Sequence, residues 1–218
     1  MYYSLKKMDT KAVIFDLDGV LCSTDEFHYR AWKMLADELE IPFDRTINDR
    51  LRGVSRAESL EIILEKSSKV YSVEEKLRFM DRKNTLYRAY LSELTPKDVS
   101  QDVEDTLFEL KQAKKLLAVG SSSKNTALIL ERLNLRDRFD AVADGNDIVR
   151  SKPDPEVFLL AASRLGLEPR HCLVVEDAQS GIQAGKAGGF YTASVGDAAR
   201  LGIGDFQLSS LHDLLEIV

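Results

Sequence analysis

The chain has 218 residues, 44% of them hydrophobic, and a formal net charge of -6. That length suffices to bury a full core in one domain or two small ones, and the acidic balance excludes a bulk electrostatic attraction to nucleic acid or to an anionic membrane. No apolar run approaches the ~18 residues of a membrane span, and the stretch Met1 to Thr10 lacks the apolar core of a signal peptide.

The run Val13-Ile14-Phe15-Asp16-Leu17-Asp18-Gly19-Val20-Leu21 begins like a strand buried on both faces of a parallel sheet. It then stops on two carboxylates and a glycine. Buried negative charge is costly unless a cation or a reaction uses it. Gly19 permits a sharp turn with positive φ, so that several groups can crowd one ligand. From Thr24 to Leu39 the apolar residues Phe27, Ala31, Trp32, Leu35, Ala36 and Leu39 recur at helical spacing, and Pro42 closes the segment. Ser55-Arg56-Ala57-Glu58 and Ser72-Val73-Glu74-Glu75 each fit a capping box, the second opening a helix that runs to about Leu91. Residues 24–95 are therefore read as an inserted helical subdomain, too long for a connecting loop. Residues 1–23 and 96–218 are read as the core.

From Gln101 the pattern alternates. Val103 to Ala113 is a predicted helix, Leu116 to Ser121 a buried strand, Asn125 to Leu133 a helix and Phe139 to Ala143 a short strand. Pro155 to Leu165 is a predicted helix with Asp154 as N-cap and Gly166 as its stop. Cys172 to Asp177 reads as a strand, Gln179 to Gly188 as a helix, Phe190 to Ser194 as a last strand and Ser210 to Ile217 as a last helix. This is the pattern of an α/β fold, a Rossmann-like parallel sheet with helices on both faces. The two cysteines, Cys22 and Cys172, have no metal-ligand spacing and suit buried thiols of a reducing compartment, so a cytoplasmic protein is expected.

In an open parallel sheet, ligands bind beyond the carboxyl ends of the strands. Asp16 and Asp18 end the first strand here, Ser121-Ser122-Ser123 the second and Glu176-Asp177 the fourth, while Lys152 follows the third. Acids, one lysine and a hydroxyl at one sheet edge suit phosphoryl transfer with Mg²⁺, which takes carboxylate oxygens, water and phosphate. Asp16 can give one oxygen to the metal and use the other as nucleophile, forming an aspartyl phosphate. Glu176 and Asp177 complete the metal site. Lys152 and Ser121 neutralise the phosphoryl oxygens, and Asp18 is the natural general acid/base. Zinc does not suit a chain with three histidines, none paired with a cysteine at ligand spacing.

Phe15-Asp16-Leu17-Asp18-Gly19-Val20, the Ser121 strand end, Lys152-Pro153-Asp154-Pro155 and Glu176-Asp177 resemble the four signature motifs of the haloacid dehalogenase superfamily. The helical insertion resembles the cap of its phosphoglucomutase-like branch. Further matching stretches are His28 to Lys33, Gly53 to Arg56, Arg82-Lys83-Asn84, Ser123-Lys124-Asn125 and Glu176 to Ala184, so that the likeness covers nearly the whole chain after its first ten residues. The resemblance implies a monomeric mutase acting on a phosphorylated hexose. It would interconvert β-glucose 1-phosphate and glucose 6-phosphate through phospho-Asp16 and β-glucose 1,6-bisphosphate. Carried over by position, Asp16 is the nucleophile and Asp18 the acid/base, and Thr24 and His28 couple cap closure to Asp18. Ser121 and Lys152 hold the transferring phosphoryl group, and Arg56 the other phosphate. Arg52, Gly53, Val54, Ser55, Ser59, Lys83, Asn84, Ser122, Ser123 and Asn125 contact substrate. Asp16, Glu176, Asp177 and the Asp18 backbone carbonyl bind Mg²⁺. Position 52 is arginine where the members it resembles typically carry lysine, which replaces a point charge with a planar fork.

Without the resemblance, His28 reads as a core-edge histidine, Arg52 and Arg56 as surface charge, Lys83 and Asn84 as a solvated helix face, and Trp32 as core. Two other functions use the same strand ends. One is a phosphosugar phosphatase with water as acceptor. The other is a non-catalytic phospho-acceptor or sugar sensor, against which Asp18 argues, because storing phosphate needs no acid/base.

Overall fold

The computed structural model describes residues 10–51 and 54–218. Among the described residues six parallel strands form one sheet: β1 (Ala12–Phe15), β2 (Leu116–Gly120), β3 (Ala141–Ala143), β4 (Cys172–Glu176), β5 (Tyr191–Ser194) and β6 (Phe206–Gln207), in the order β3-β2-β1-β4-β5-β6. The chain builds outward from β1 in one direction, then restarts at β4 on its other side. A crevice opens at such a switch point, between the carboxyl ends of the two strands where the order reverses. The register aligns Phe15 with Val175 on one side and with Val119 on the other, so Asp16 emerges level with Glu176 and Gly120.

The alternation of side chains along β1 feeds two cores. Val13 and Phe15 join Leu117, Val119, Leu173 and Val175 on one face, covered by α5 (Gln101–Gln112), α6 (Thr126–Arg132) and α10 (Leu214–Ile217). Ala12 and Ile14 join Ala118 and Val174 on the other, covered by α7 (Glu156–Arg164) and α8 (Gln179–Ala187). Both cysteines are free and buried, as expected. Between β1 and α5 lie α1 (Asp25–Glu38), α2 (Arg45–Asp49), α3 (Arg56–Leu64) and α4 (Val73–Leu91). They bury a third cluster of their own around Trp32, Leu35, Phe43, Leu60 and Ile63. Ala31, Tyr87 and Leu91 instead turn toward the core and pack with Leu17 and Leu21. Both predicted capping boxes are present, at Ser55 with Glu58 and at Ser72 with Glu75.

Several expected boundaries shift, and two short elements are added. Strand β3 begins at Ala141, because the Asp140 carboxylate takes the Leu117 N–H at 2.8 Å and ends the regular ladder there. The N-cap of α7 is Pro155 rather than Asp154, whose carboxylate nonetheless accepts from the Glu156 N–H at 3.0 Å. The last helix is a 3₁₀ turn at Leu211–Asp213 followed by α10. Between β5 and that turn lie α9 (Gly196–Leu201) and β6, neither of which the periodicity suggests. Among the described residues no helix is long and apolar enough to cross a membrane.

Candidate active site

Asp16 follows β1 directly, and its N–H donates to Val175 of β4 at 2.9 Å, so the last ladder bond fixes the nucleophile candidate at the crevice. Lys152 is buried beside it and donates to Asp16 and, at 2.7 Å, to Glu176 Oε1. Burial opposes the charge on Lys152, but the two carboxylates outweigh it and hold the ammonium charged, with its pKa above the ordinary lysine value. Glu176 Oε2 accepts from the Ala178 N–H at 2.8 Å.

One lysine does not balance the acids gathered here. Asp16, Glu176 and Asp177 each bring a carboxylate oxygen into one group whose members lie within 4.8 Å of one another. Burial, followed by the charges of Glu176 and Asp16, pushes Asp177 up to about 8. Burial also raises Glu176, against the pull of Lys152. Repulsion of this kind is what a divalent cation relieves, and an all-oxygen donor set suits Mg²⁺. Two glycines make the crowding possible. Gly19 has φ +83°, and a Cβ there would lie 2.1 Å from Asp177 Oδ2; a Cβ on Gly181 of α8 would lie 1.8 Å from Glu176 Oε1.

Asp18, half-buried, sits beyond Asp16 and accepts a short hydrogen bond from the Thr24 hydroxyl. Burial pushes its carboxyl up to about 7, with the charge of Asp16 adding to the effect and Thr24 opposing it. Such a group exchanges a proton near neutral pH. The Ser121 hydroxyl ends β2 and accepts from the Ser123 N–H at 3.2 Å, curling the chain into a tight turn before α6. The buried Ser122 hydroxyl has no hydrogen-bond partner among the described residues, although it lines the cavity.

The helices close over these acids and leave a cavity of about 820 Å³. Arg56 at the start of α3 is half-buried, and its guanidinium donates to Asn84 Oδ1 at 2.8 Å. That oxygen also accepts from Asn125 Nδ2 at 3.0 Å, and Arg88 donates to Asn125 Oδ1 at 3.2 Å, so a polar chain runs from α3 through α4 to the N-terminus of α6. Lys83 is only 2% exposed. Its ammonium lies 2.9 Å from His28 Nδ1 and over the rings of Trp32 and Tyr87, at 4.9 and 4.4 Å. Burial, then Arg56, lowers the Lys83 pKa well below the ordinary lysine value, and burial with Lys83 and Arg56 keeps His28 neutral at pH 7.

The cavity wall gathers most of the residues predicted for the site: Asp16, Asp18, His28, Val54, Ser55, Arg56, Ser59, Lys83, Ser121, Ser122, Ser123, Asn125, Lys152, Glu176 and Asp177. Thr24 and Asn84 stand behind it, each bonded to a residue that lines it. Arg52 and Gly53 lie outside the described residues. The solvated-face reading of Lys83 and Asn84 is corrected, since Lys83 is buried and Asn84 half-buried between two partners. The predicted set lacks Tyr87 and the loop residues Ile148, Val149 and Arg150, which also line the cavity. Tyr87 could have been found from its place four residues after Lys83, on the same helix face.

The model of the haloacid dehalogenase-like hydrolase family matches residues 10–189. The chain is similar to β-phosphoglucomutase of Bacillus subtilis (strain 168), with 42% identity over 206 residues that cover 94% of this chain and 91% of the relative. It is 32% identical over 182 residues to a phosphorylated carbohydrates phosphatase of Thermotoga maritima, covering 82% of each. The crystal structure of β-phosphoglucomutase from Clostridium difficile superposes with a TM-score of 0.88 at 36% identity, over 94% of this chain and 93% of that one. Motif, sheet order and a family match over most of the chain agree, and the chain belongs to the haloacid dehalogenase-like hydrolase family.

Proposed function

We propose that this protein interconverts β-glucose 1-phosphate and glucose 6-phosphate, using Asp16 as the phosphoryl carrier and β-glucose 1,6-bisphosphate as the intermediate. The observation that carries this reading is the second cationic pole of the cavity. Arg56 is half-buried, faces the same cavity as Asp16, and pairs with no carboxylate among the described residues. A half-buried guanidinium bonded, among the described residues, to a carboxamide oxygen, with Asp81 near enough to favour its charge but not paired with it, is poised for an anion. A mutase must hold two phosphates at once, one at each pole, whereas hydrolysis of one phosphate needs a single pole. The similarity to two β-phosphoglucomutases supports the same reading.

In this reading, phospho-Asp16 gives its phosphoryl group to the 6-hydroxyl of β-glucose 1-phosphate while Asp18 takes the hydroxyl proton. The bisphosphate turns round. The Asp16 carboxylate then attacks phosphorus at the 1-position, and Asp18 returns the proton to the leaving sugar oxygen, so that glucose 6-phosphate departs and phospho-Asp16 is restored. Lys152 and the Ser121 and Ser122 hydroxyls neutralise the phosphoryl oxygens. Asp16, Glu176, Asp177 and the Asp18 backbone carbonyl would hold Mg²⁺, whose positive charge offsets the buildup of negative charge at the reacting phosphoryl group. Residues 24–95 act as the cap that excludes water from phospho-Asp16.

Arg56→Ala tests the second pole. Losing a charged hydrogen-bond partner costs about 1.5–3 kcal/mol, on the order of 10- to 100-fold in kcat/KM. That contact lies away from the reacting phosphorus, and its binding energy serves to orient the sugar. Phosphorylation of Asp16 by acetyl phosphate needs no second phosphate. The variant is therefore expected to lose more than ~10-fold in mutase turnover while its labelling by acetyl phosphate stays within a few-fold. An equal loss in both rates would make Arg56 a support of the core site. An unchanged mutase rate would leave Arg56 a structural partner of Asn84 that takes no part in holding a second phosphate.

A further inference from the structure

We propose that Tyr87 is a positioning residue for Asp18, acting through the Thr24 hydroxyl; the proposal rests on the reading of Asp18 as the proton carrier. Thr24 and Tyr87 are each 1% exposed, so water does not stand in for either partner. The Tyr87 hydroxyl lies 2.8 Å from Thr24 Oγ1, and the Thr24 hydroxyl donates to Asp18 Oδ1. A threonine hydroxyl has one proton to give. Since that proton is committed to Asp18, the bond between Thr24 and Tyr87 has the phenol as donor. A hydroxyl that accepts one strong bond becomes a better donor in the next. The pair thereby ties down Oδ1 of Asp18 and leaves Oδ2 to exchange the proton with the substrate oxygen.

The rest of Tyr87 holds its hydroxyl in place. Its ring lies 4.1 Å from the His28 ring, centroid to centroid, and carries Lys83 Nζ at 4.4 Å. It belongs to the core cluster that also contains Leu17, Leu21 and Leu91. Burial keeps the phenol protonated, with its pKa well above the ordinary tyrosine value. One residue of α4 thus connects the acid/base turn after β1, the Lys83 ammonium and the His28 ring. The position of α4 over the core is thereby transmitted to Asp18 through two hydrogen bonds.

Tyr87→Phe removes the phenol oxygen and keeps the ring. The discriminating readout is the leaving group. Acetate leaves acetyl phosphate without needing a proton, whereas a sugar oxygen leaves β-glucose 1,6-bisphosphate only if Asp18 protonates it. In Tyr87→Phe, kcat for phosphoryl transfer from the bisphosphate is expected to fall about 10-fold with KM within about 2-fold, and transfer from acetyl phosphate to stay within about 2-fold. Thr24→Val should reproduce the loss on the bisphosphate, and the double variant should be no worse than Thr24→Val, because both act on one path. An equal fall on both donors would reduce Tyr87 to packing and overturn the proposal. So would an unchanged kcat, or additive losses in the double variant. If the unmodified protein releases only free phosphate from the sugar phosphate, the mutase reading fails by itself. Comparing sugar phosphate hydrolysis with acetyl phosphate then still decides the role of Tyr87.

Discussion

Asp16→Asn is expected to lower turnover by at least about 10⁴-fold, the scale of loss when a covalent enzyme loses its nucleophile. The exchange keeps the shape of the side chain and replaces a carboxylate oxygen with an amide that cannot carry a phosphoryl group. Two further effects act in the same direction. Lys152, now bonded to both Asp16 and Glu176, keeps only one anionic partner. The group of three carboxylates within 4.8 Å of one another loses one of its members, which weakens the site for a divalent cation. The measurement is steady-state turnover together with the position of the label after reaction with a phosphoryl donor. Label that is acid-stable and lies on another residue would overturn the assignment of Asp16.

Asp18→Asn is expected to cut turnover by about 10²–10⁴, the usual worth of general acid–base catalysis, while leaving Mg²⁺ affinity nearly intact. The structure explains why the two properties separate. The Asp18 side chain is absent from the carboxylate group formed by Asp16, Glu176 and Asp177. It is instead bonded to Thr24 and pushed by burial up to about 7, where it can exchange a proton. Asparagine still accepts from Thr24, so the turn between Asp18 and Cys22 is kept. Titration of Mg²⁺ binding on the same protein completes the test. A collapse of metal affinity in step with turnover would make Asp18 chiefly a metal ligand.

The sequence revealed the acids more readily than their surroundings. The run of four apolar residues before Asp16 marks a strand buried on both faces, and that alone sets Asp16 at a sheet edge. Glu176 follows the same logic on β4, and the parallel register then brings the two side by side. Lys152 was legible as a lone lysine between the strand ends. The capping serines Ser55 and Ser72 announced α3 and α4 because their side chains act within one turn.

What stayed hidden depends on contacts between elements. Lys83 lies in the charged run Arg82-Lys83-Asn84, which reads as a solvated face, and only packing of α4 against α1 buries it among His28, Trp32 and Tyr87. The same packing makes Tyr87 part of the site. The helix α9 and the strand β6 are short, six and two residues, and are held by tertiary bonds such as Ser194 Oγ to Phe206 O at 3.0 Å rather than by an apolar pattern. Asp140 sets where β3 begins by bonding a neighbouring strand, which no local rule shows.

In the proposed mutase reaction a second phosphate is held while Asp16 passes on the first. The direct measurement is incubation with β-glucose 1-phosphate, and separately with the α-anomer, in the presence of Mg²⁺ and a bisphosphate primer, following glucose 6-phosphate and free phosphate as separate products. The expected result is glucose 6-phosphate from the β-anomer, with free phosphate a minor product. Free phosphate formed without glucose 6-phosphate would contradict the account and make the protein a sugar phosphate phosphatase.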